Sequence, residues 1–328
     1  MASTRSASAL YLTRLRQLLG RAPIDLPPPV APPLPPGRVL SLPGRGDTFI
    51  RELEGPTDRP PLLFLHGWTA SADLNWYGAF DRFDGVRRVI AVDHRGHGRG
   101  MRTPEPFRLT DCADDAAAVL DVLGIDQAIA VGYSMGGPIS LLLARRHRAR
   151  VSGLVLAATG LQFSSTRAER LRWKGIALLE LGVRAGWGDR LVARLADDLA
   201  RVDDAFAPHS AWLASEFTRT HPRLLRQAGA ELGRFDARPW AGQLAVPAAV
   251  VITEGDSLVP YARQRALAAL LGAHLQPLPG ADHDVPITDV DAFSGALAAG
   301  VEAVDPRVAA GERDGEPVAG EARLREVG

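Results

Sequence analysis

The chain has 328 residues, of which 46% are hydrophobic and 23% charged, and its 38 basic side chains are balanced by 38 acidic ones. This length suits one large domain or two ordinary ones with a full hydrophobic core. Because the net charge is zero, no general positive field attracts nucleic acid or an anionic membrane surface. We therefore expect no nucleic-acid partner.

The cysteine content and the apolar runs bear on the cellular compartment. Cys112 is the only cysteine, which excludes an internal disulfide and a multi-cysteine metal site. No apolar run reaches the roughly 18 residues that span a bilayer. Arg14 and Arg16 interrupt the apolar stretch that a secretory signal would need. The sequence predicts a soluble cytoplasmic protein without a transmembrane segment.

Both ends of the chain differ in composition from the rest. Within residues 1–36, positions 1–20 show a short basic amphipathic pattern, and a helix there would either contact a membrane surface or pack on the domain. The tract 23–36 contains eight of the 25 prolines, so we expect a stiff linker that packs against no core. Residues 303–328 alternate charged and small side chains, which predicts a disordered tail.

Short apolar runs typical of buried strands recur through residues 37–302, which we predict to be one domain. The runs are 38–42, 48–53, 61–65, 86–92, 127–132, 151–157, 248–253 and 274–278. Helical patterns separate them, and the clearest starts at Leu109 and ends at Gly124. This alternation predicts an α/β domain with a mostly parallel central sheet flanked by helices.

Residues 161–240 interrupt the alternation, because they show helical patterns and no strand pattern. Four of the six tryptophans lie in this stretch. We predict a helical insertion after the sixth strand, which would serve either as an extra packing layer or as a lid. Its position relative to the motifs below favours the lid.

One short motif carries a chemical implication. Gly132-Tyr133-Ser134-Met135-Gly136 matches G-x-S-x-G, directly follows an apolar strand and opens a helical run. Such a strand–turn–helix junction needs glycines on both sides and would expose Ser134 at the edge of the sheet. The helix N-terminus beneath it favours negative charge on a bound intermediate.

A serine nucleophile needs a base and an acid that orients the base. His283 lies in a loop after the last predicted strand, and Asp256 follows the strand 248–253. Both therefore fall at the sheet end where Ser134 is expected, since open α/β sheets gather their sites at strand carboxyl ends. The order Ser134, Asp256, His283 is that of one class of serine hydrolases.

Together these features resemble the α/β-hydrolase superfamily, in its serine-nucleophile branch with a helical cap, over roughly residues 38–300. Four motifs agree in order and spacing: His66-Gly67-Trp68, the turn Asp93–Gly98, the turn Gly132–Gly136, and the pair Asp256 and His283. The resemblance implies that Ser134 attacks a carbonyl, that His283 moves its proton and that Asp256 holds the imidazole. It further implies an oxyanion hole made by the backbone N–H groups of Trp68 and Met135.

Several assignments stay open. Trp76 and Tyr133 either line the substrate pocket or belong to the core. The chain has Thr253 and Asp282 where family members usually have glycine. Glu254 and Asp282 are therefore rivals of Asp256 as the acid of the triad.

We expect a serine esterase that cleaves a carboxylic ester with an apolar acyl group through an acyl-enzyme, without metal or organic cofactor. The same triad also serves carbon–carbon bond hydrolases, thioesterases, lactonases, acyltransferases and cofactor-free haloperoxidases. A non-catalytic ligand receptor or scaffold is the alternative of a different class.

Overall fold

The computed structural model describes residues 28–164, 169 and 209–305. The helix predicted in residues 1–20, most of the tail 303–328 and a large part of the insertion lie outside these ranges. The expectation of disorder is wrong for residues 303–305, because Val304 and Asp305 are buried at the end of the last helix. Among the described residues, none of the helices has the length and apolar character needed to cross a membrane.

An eight-stranded sheet forms the centre of the domain. Its strands are β1 (Gly37–Leu42), β2 (Gly46–Leu53), β3 (Leu62–Leu65), β4 (Val89–Val92), β5 (Ala128–Tyr133), β6 (Val151–Ala157), β7 (Ala248–Thr253) and β8 (His274–Leu278). They lie in the order β1-β2-β4-β3-β5-β6-β7-β8. The pairs β1–β2 and β2–β4 are antiparallel, and the other neighbours are parallel. The predicted fold class is confirmed.

Helices cover both faces of the sheet. They are α1 (Ala72–Trp76), α2 (Phe80–Phe83), α3 (Leu109–Val122), α4 (Gly136–Arg146), α5 (Ser210–Thr218), α6 (Pro222–Arg234), α7 (Tyr261–Leu271), α8 (Val285–Thr288) and α9 (Val290–Val304). Leu63 of β3 packs with α3 and α4 on one face, whereas Phe64 packs with α1, α2 and α9 on the other. Because successive side chains of a strand point to opposite faces, β3 is apolar throughout.

The end of the proline-rich tract packs on the domain, so the expectation of a linker without core contacts is wrong for residues 28–36. Pro32 is buried, and the half-buried Leu34 packs against the hydrophobic clusters beside α1 and α9. The carbonyls of Pro35 and Pro36 accept hydrogen bonds from β2, at 2.6 and 3.1 Å. An extended proline segment has no internal hydrogen bonds, so its carbonyls are available to a neighbouring strand.

Helices α5 and α6 belong to the insertion between β6 and β7, and α5 is held to the domain by a buried carboxylate. The Glu216 side chain is fully buried and accepts hydrogen bonds from Arg99 Nη2 at 2.8 Å and from Ser71 Oγ at 2.7 Å. Arg99 also donates to Asp73, at 3.0 Å. This network connects the insertion to the loop after β4.

Helix α6 docks on the same loop. The N–H of His221 donates to the Gly96 carbonyl at 2.8 Å, and Phe107 N–H donates to Gln227 Oε1 at 2.8 Å. Gly96 has a φ of +78° and lies under Leu224 with no room for a Cβ. Only glycine meets both conditions at low cost, so this turn is shaped to receive α6.

We predict that Glu216→Ala lowers the free energy of unfolding by about 2 kcal/mol or more, because Arg99 loses a buried partner. Glu231→Ala on α6 is the matched control. Glu231 Oε1 lies 3.6 Å from Nη1 of Arg234, whose side chain is 77% exposed. A pair of that kind contributes at most about 0.5 kcal/mol. Urea unfolding of both variants measures the difference, and equal losses would contradict the anchoring role of Glu216.

Candidate active site

A sharp turn between β5 and α4 presents Ser134. Its φ is +51°, a left-handed conformation that non-glycine residues rarely adopt. A Cβ on Gly136 would overlap the carbonyl oxygen of Leu65, and one on Gly132 would overlap that of Gly136. The two glycines of the motif are therefore required by the close approach of α4 to β3 and β5.

Ser134, His283 and Asp256 form one hydrogen-bonded chain. Ser134 Oγ lies 3.0 Å from His283 Nε2, and His283 Nδ1 lies 2.8 Å from Asp256 Oδ2. Ser134 is 8% and Asp256 6% exposed. A hydroxyl, an imidazole and a carboxylate in this order can move a proton from oxygen to nitrogen while the carboxylate stabilises the imidazolium.

The carboxylate of Asp256 is held on both oxygens. Its Oδ1 accepts the backbone N–H groups of Leu258 at 2.8 Å and Val259 at 2.7 Å. Its Oδ2, which faces His283, also accepts the hydroxyl of Thr253 at 2.8 Å. Thr253 stands where the family pattern has glycine, and its side chain supplies an additional donor to the carboxylate.

The two rival acids lie elsewhere. Asp282 Oδ1 accepts the N–H groups of Ser257 at 2.8 Å and His283 at 2.6 Å. Burial alone would raise the pKa of Asp282, but these hydrogen bonds outweigh it and lower the pKa. Glu254 is exposed. Of the three acids, Asp256 is the one bonded to the His283 ring.

The residues predicted for the oxyanion hole flank Ser134. Met135 is buried and directly precedes α4, so its N–H lies at the helix N-terminus. Trp68 follows Gly67, whose N–H donates to Asn75 Oδ1 at 2.6 Å. A Cβ on Gly67 would lie 3.4 Å from Ser134 Cβ. The turn after β3 therefore passes beside Ser134.

The two candidate pocket residues occupy different places. Trp76 is fully buried in the aromatic core, with ring centroids 4.6 Å from Phe64 and 6.1 Å from Phe293. Of the two alternatives, pocket lining or core, Trp76 therefore belongs to the core. Tyr133 is also buried, but its hydroxyl donates to the backbone carbonyl of His283, and the two rings lie 5.4 Å apart. Tyr133 thus supports the loop that carries His283.

Three residues near the site, Thr69, Ala158 and Thr159, carry no sequence motif. Thr159 Oγ1 donates to the Ser134 carbonyl at 2.8 Å and packs against Gly137. Thr69 and Ala158 have φ values of +68° and +50°, and with Ser134 they are the non-glycine residues of positive φ in the described ranges. Thr69 follows the carboxyl end of β3, and Ala158 and Thr159 follow that of β6. Their positions just after apolar strands were a signal, but no motif marked them.

The family model described as "alpha/beta hydrolase fold" matches residues 60–290. The chain belongs to this family. A putative carbamate hydrolase, RutD, from Serratia proteamaculans (strain 568) is 28% identical over 254 residues, which is 75% of this chain and 92% of that protein.

Solved structures agree with this α/β hydrolase in fold. An esterase from Exiguobacterium antarcticum superposes with a TM-score of 0.68 at 18% identity, covering 80% of this chain and 98% of that one. The enol-lactonase from Burkholderia xenovorans LB400 superposes with a TM-score of 0.67 at 23% identity, covering 80% of this chain and 99% of that one. At such identities the likeness concerns the fold.

Three buried histidines of this hydrolase contact one another where the chain leaves β3 and β4. His66 Nε2 accepts the N–H of His94 at 3.0 Å, and the His66 ring lies 4.3 Å from that of His94 and 5.5 Å from that of His97. Burial lowers the pKa of His94 to about 3 and that of His97 to about 4, and it lowers the pKa of His66 as well. These rings are neutral parts of the core. In the described part of the chain, no group of three or more His, Cys, Asp or Glu side chains is arranged to hold a metal ion.

Asp93 is buried as well, but burial raises its pKa instead of lowering it. It accepts the N–H groups of Ala72 at 2.6 Å and Arg99 at 2.7 Å, yet burial raises its pKa to about 7. A raised carboxyl pKa contributes stability at low pH that is lost as pH rises toward 7. The lowered histidine pKa values contribute stability above about pH 6.5 that is lost on acidification.

We predict a net loss of stability between pH 6.5 and 5.0. His94 and His97 should each remove about 1–2 kcal/mol over this interval, His66 should add a loss in the same direction, and Asp93 should offset about one histidine. Urea unfolding at both pH values should show a smaller pH difference for His97→Gln and a larger one for Asp93→Asn. An identical difference in wild type and both variants would refute this assignment.

Proposed function

We propose that this chain is a serine hydrolase that cleaves a carboxylic ester through an acyl-enzyme intermediate. The observation that carries the proposal is the hydrogen-bonded chain from Ser134 through His283 to Asp256, presented on the turn between β5 and α4. Membership of the α/β-hydrolase family supports it. So does the order of the three residues, which is the family's nucleophile–acid–base order.

The proposed reaction has two halves. Ser134 Oγ attacks the carbonyl carbon while His283 Nε2 takes its proton, and the N–H groups of Trp68 and Met135 stabilise the oxyanion. The tetrahedral intermediate then expels the alcohol, which receives the proton from His283. Water, activated by the same imidazole, hydrolyses the acyl-enzyme and restores Ser134. Asp256 keeps the Nδ1–H tautomer of His283 throughout.

An ester with an apolar acyl group is the first choice of substrate, and similarity to a structure titled as an esterase agrees with it. A carbamate is the second candidate, because a relative covering most of this chain is named a putative carbamate hydrolase. The same three residues could also act in lactone, thioester or carbon–carbon bond hydrolysis, in acyl transfer or in haloperoxidation. A ligand receptor would retain a bound compound without turnover.

We also propose that the insertion between β6 and β7 forms a cap over this site. The support is that α6 contacts the turn after β3 that carries a proposed oxyanion donor: Trp68 Nε1 donates to the Leu225 carbonyl at 2.8 Å. A cap in this position would shape the acyl pocket while leaving room for the water that hydrolyses the acyl-enzyme.

We predict that Ser134→Ala abolishes hydrolysis of a p-nitrophenyl ester series and covalent labelling by a fluorophosphonate. Ser41→Ala is the matched control, since Ser41 is exposed and its hydroxyl hydrogen-bonds to Asp47 in the hairpin of β1 and β2. The control should retain both signals. Labelling of Ser134→Ala would disprove the proposed nucleophile, and a wild type that is labelled but cleaves no ester would direct the search to carbamates and the other substrates.

We predict that Thr253→Val lowers kcat about tenfold with KM nearly unchanged, because Asp256 loses a hydrogen bond worth about 1–2 kcal/mol beside the imidazole. Thr288→Val is the control, since its hydroxyl faces Asp284 at 3.4 Å on the surface. Steady-state kinetics on one ester measures both variants. Wild-type kcat in Thr253→Val would show that the hydroxyl has no part in orienting the acid.

A further inference from the structure

We propose that Trp68 is a positioning residue whose indole, held by α6, sets the position of its own backbone N–H in the oxyanion hole. The rate of acyl transfer would then depend on the seating of the insertion. This inference rests on the proposed function and adds a residue role to it. It concerns the side chain of Trp68, which the family pattern does not specify, rather than the N–H itself.

One face of α6 is shaped to hold an indole. Trp68 Nε1 donates to the carbonyl of Leu225 at 2.8 Å. One turn further along, a Cβ on Gly229 would lie 2.9 Å from Trp68 Cζ2. Residues four apart lie on the same helix face. The Leu225 carbonyl and the space left by Gly229 therefore belong to one surface. Glycine inside a helix costs about 1 kcal/mol relative to alanine, so the space for the ring has an energetic cost.

The peptide of Trp68 is constrained on both sides. Gly67 N–H is bound to Asn75 Oδ1 at 2.6 Å, and Thr69 has a φ of +68°. Two side-chain torsions alone separate the Trp68 backbone from its ring. The contact of the ring with α6 therefore adds a third constraint on the orientation of this peptide.

Helix α6 is itself fixed to the domain at the loop after β4. His221 N–H and Gln227 make hydrogen bonds of 2.8 Å to that loop, and Leu224 packs on Gly96. A shift of α6 would therefore displace the Trp68 indole, which is bonded to the Leu225 carbonyl, and with it the Trp68 N–H. A change of about 1 Å at a reacting group can cost up to 10²-fold in rate.

The test compares Trp68→Phe and Gly229→Ala with two matched controls. Trp68→Phe removes the indole N–H, and Gly229→Ala pushes on the ring. Trp240→Phe removes an indole N–H that donates to the Asp236 carbonyl at 3.2 Å, and Gly295→Ala adds a methyl group to α9 where no atom lies within 4 Å. Thermal unfolding of all four establishes that the comparison is made on folded protein.

The main readout is the second-order rate constant for a fluorophosphonate. In that reaction the Ser134 Oγ–P bond forms, fluoride leaves, the serine proton passes to His283, and the phosphoryl oxygen takes the oxyanion position. We expect Trp68→Phe and Gly229→Ala to react about tenfold more slowly. This decrease is smaller than the roughly 10²–10³-fold decrease in rate that follows removal of an oxyanion-hole donor. Affinity for a trifluoromethyl ketone, which forms a tetrahedral adduct, should fall by the same factor, while KM for an ester changes less than twofold.

The outcomes separate this inference from the proposed function. Wild-type rates in both Trp68→Phe and Gly229→Ala, with an unlabelled Ser134→Ala, would overturn the inference alone. A raised KM with unchanged phosphonylation would also overturn it, because the indole would then be a binding surface. Labelling of Ser134→Ala would overturn both. Slower reaction in the two variants, with wild-type rates in Trp240→Phe and Gly295→Ala, supports the positioning role.

Discussion

The close approach of α4 to the end of β3 is the constraint on which the rest of the site depends. Gly136 lies against the Leu65 carbonyl, so the chain can turn from β5 into α4 within two residues only if that position lacks a side chain. The tight turn places Ser134 at a positive φ. The strained serine, the N-terminus of α4 and the turn after β3 are thereby brought together at the same sheet edge.

Left-handed backbone recurs around this edge, and hydrogen bonds hold Ser134 and Ala158 in place. Thr69 and Ala158 share the left-handed conformation of Ser134. Thr159, next to Ala158, bonds to the Ser134 carbonyl. Such conformations cost about 1–3 kcal/mol each and persist where the surroundings over-determine them. Their clustering at the ends of β3, β5 and β6 indicates that the sheet stabilises a site that the local chain would not form alone.

The insertion is connected to this edge through residues that the domain supplies. Glu216 bonds to Arg99 and Ser71, while α6 lies on Gly96 and contacts Trp68. The loop after β4 therefore has two roles: it supplies two of the three buried histidines, and it binds helices α5 and α6. This arrangement gives the turn Asp93–Gly98 a structural role, consistent with the glycines that its motif contains.

The sequence by itself predicted the strand segments, the α/β fold class and Ser134 and His283 as candidate site residues, because each depends on local periodicity or on a motif that follows a strand. Which of Asp256, Glu254 and Asp282 binds the His283 ring was visible only in the tertiary structure. Tertiary structure alone decided the role of Thr253, the core position of Trp76 and the packing of residues 28–36 on the domain. It also decided the contact between Trp68 and Leu225, which are 157 residues apart. Contacts of this kind leave no period in the sequence, since they depend on which surfaces meet after the sheet has formed.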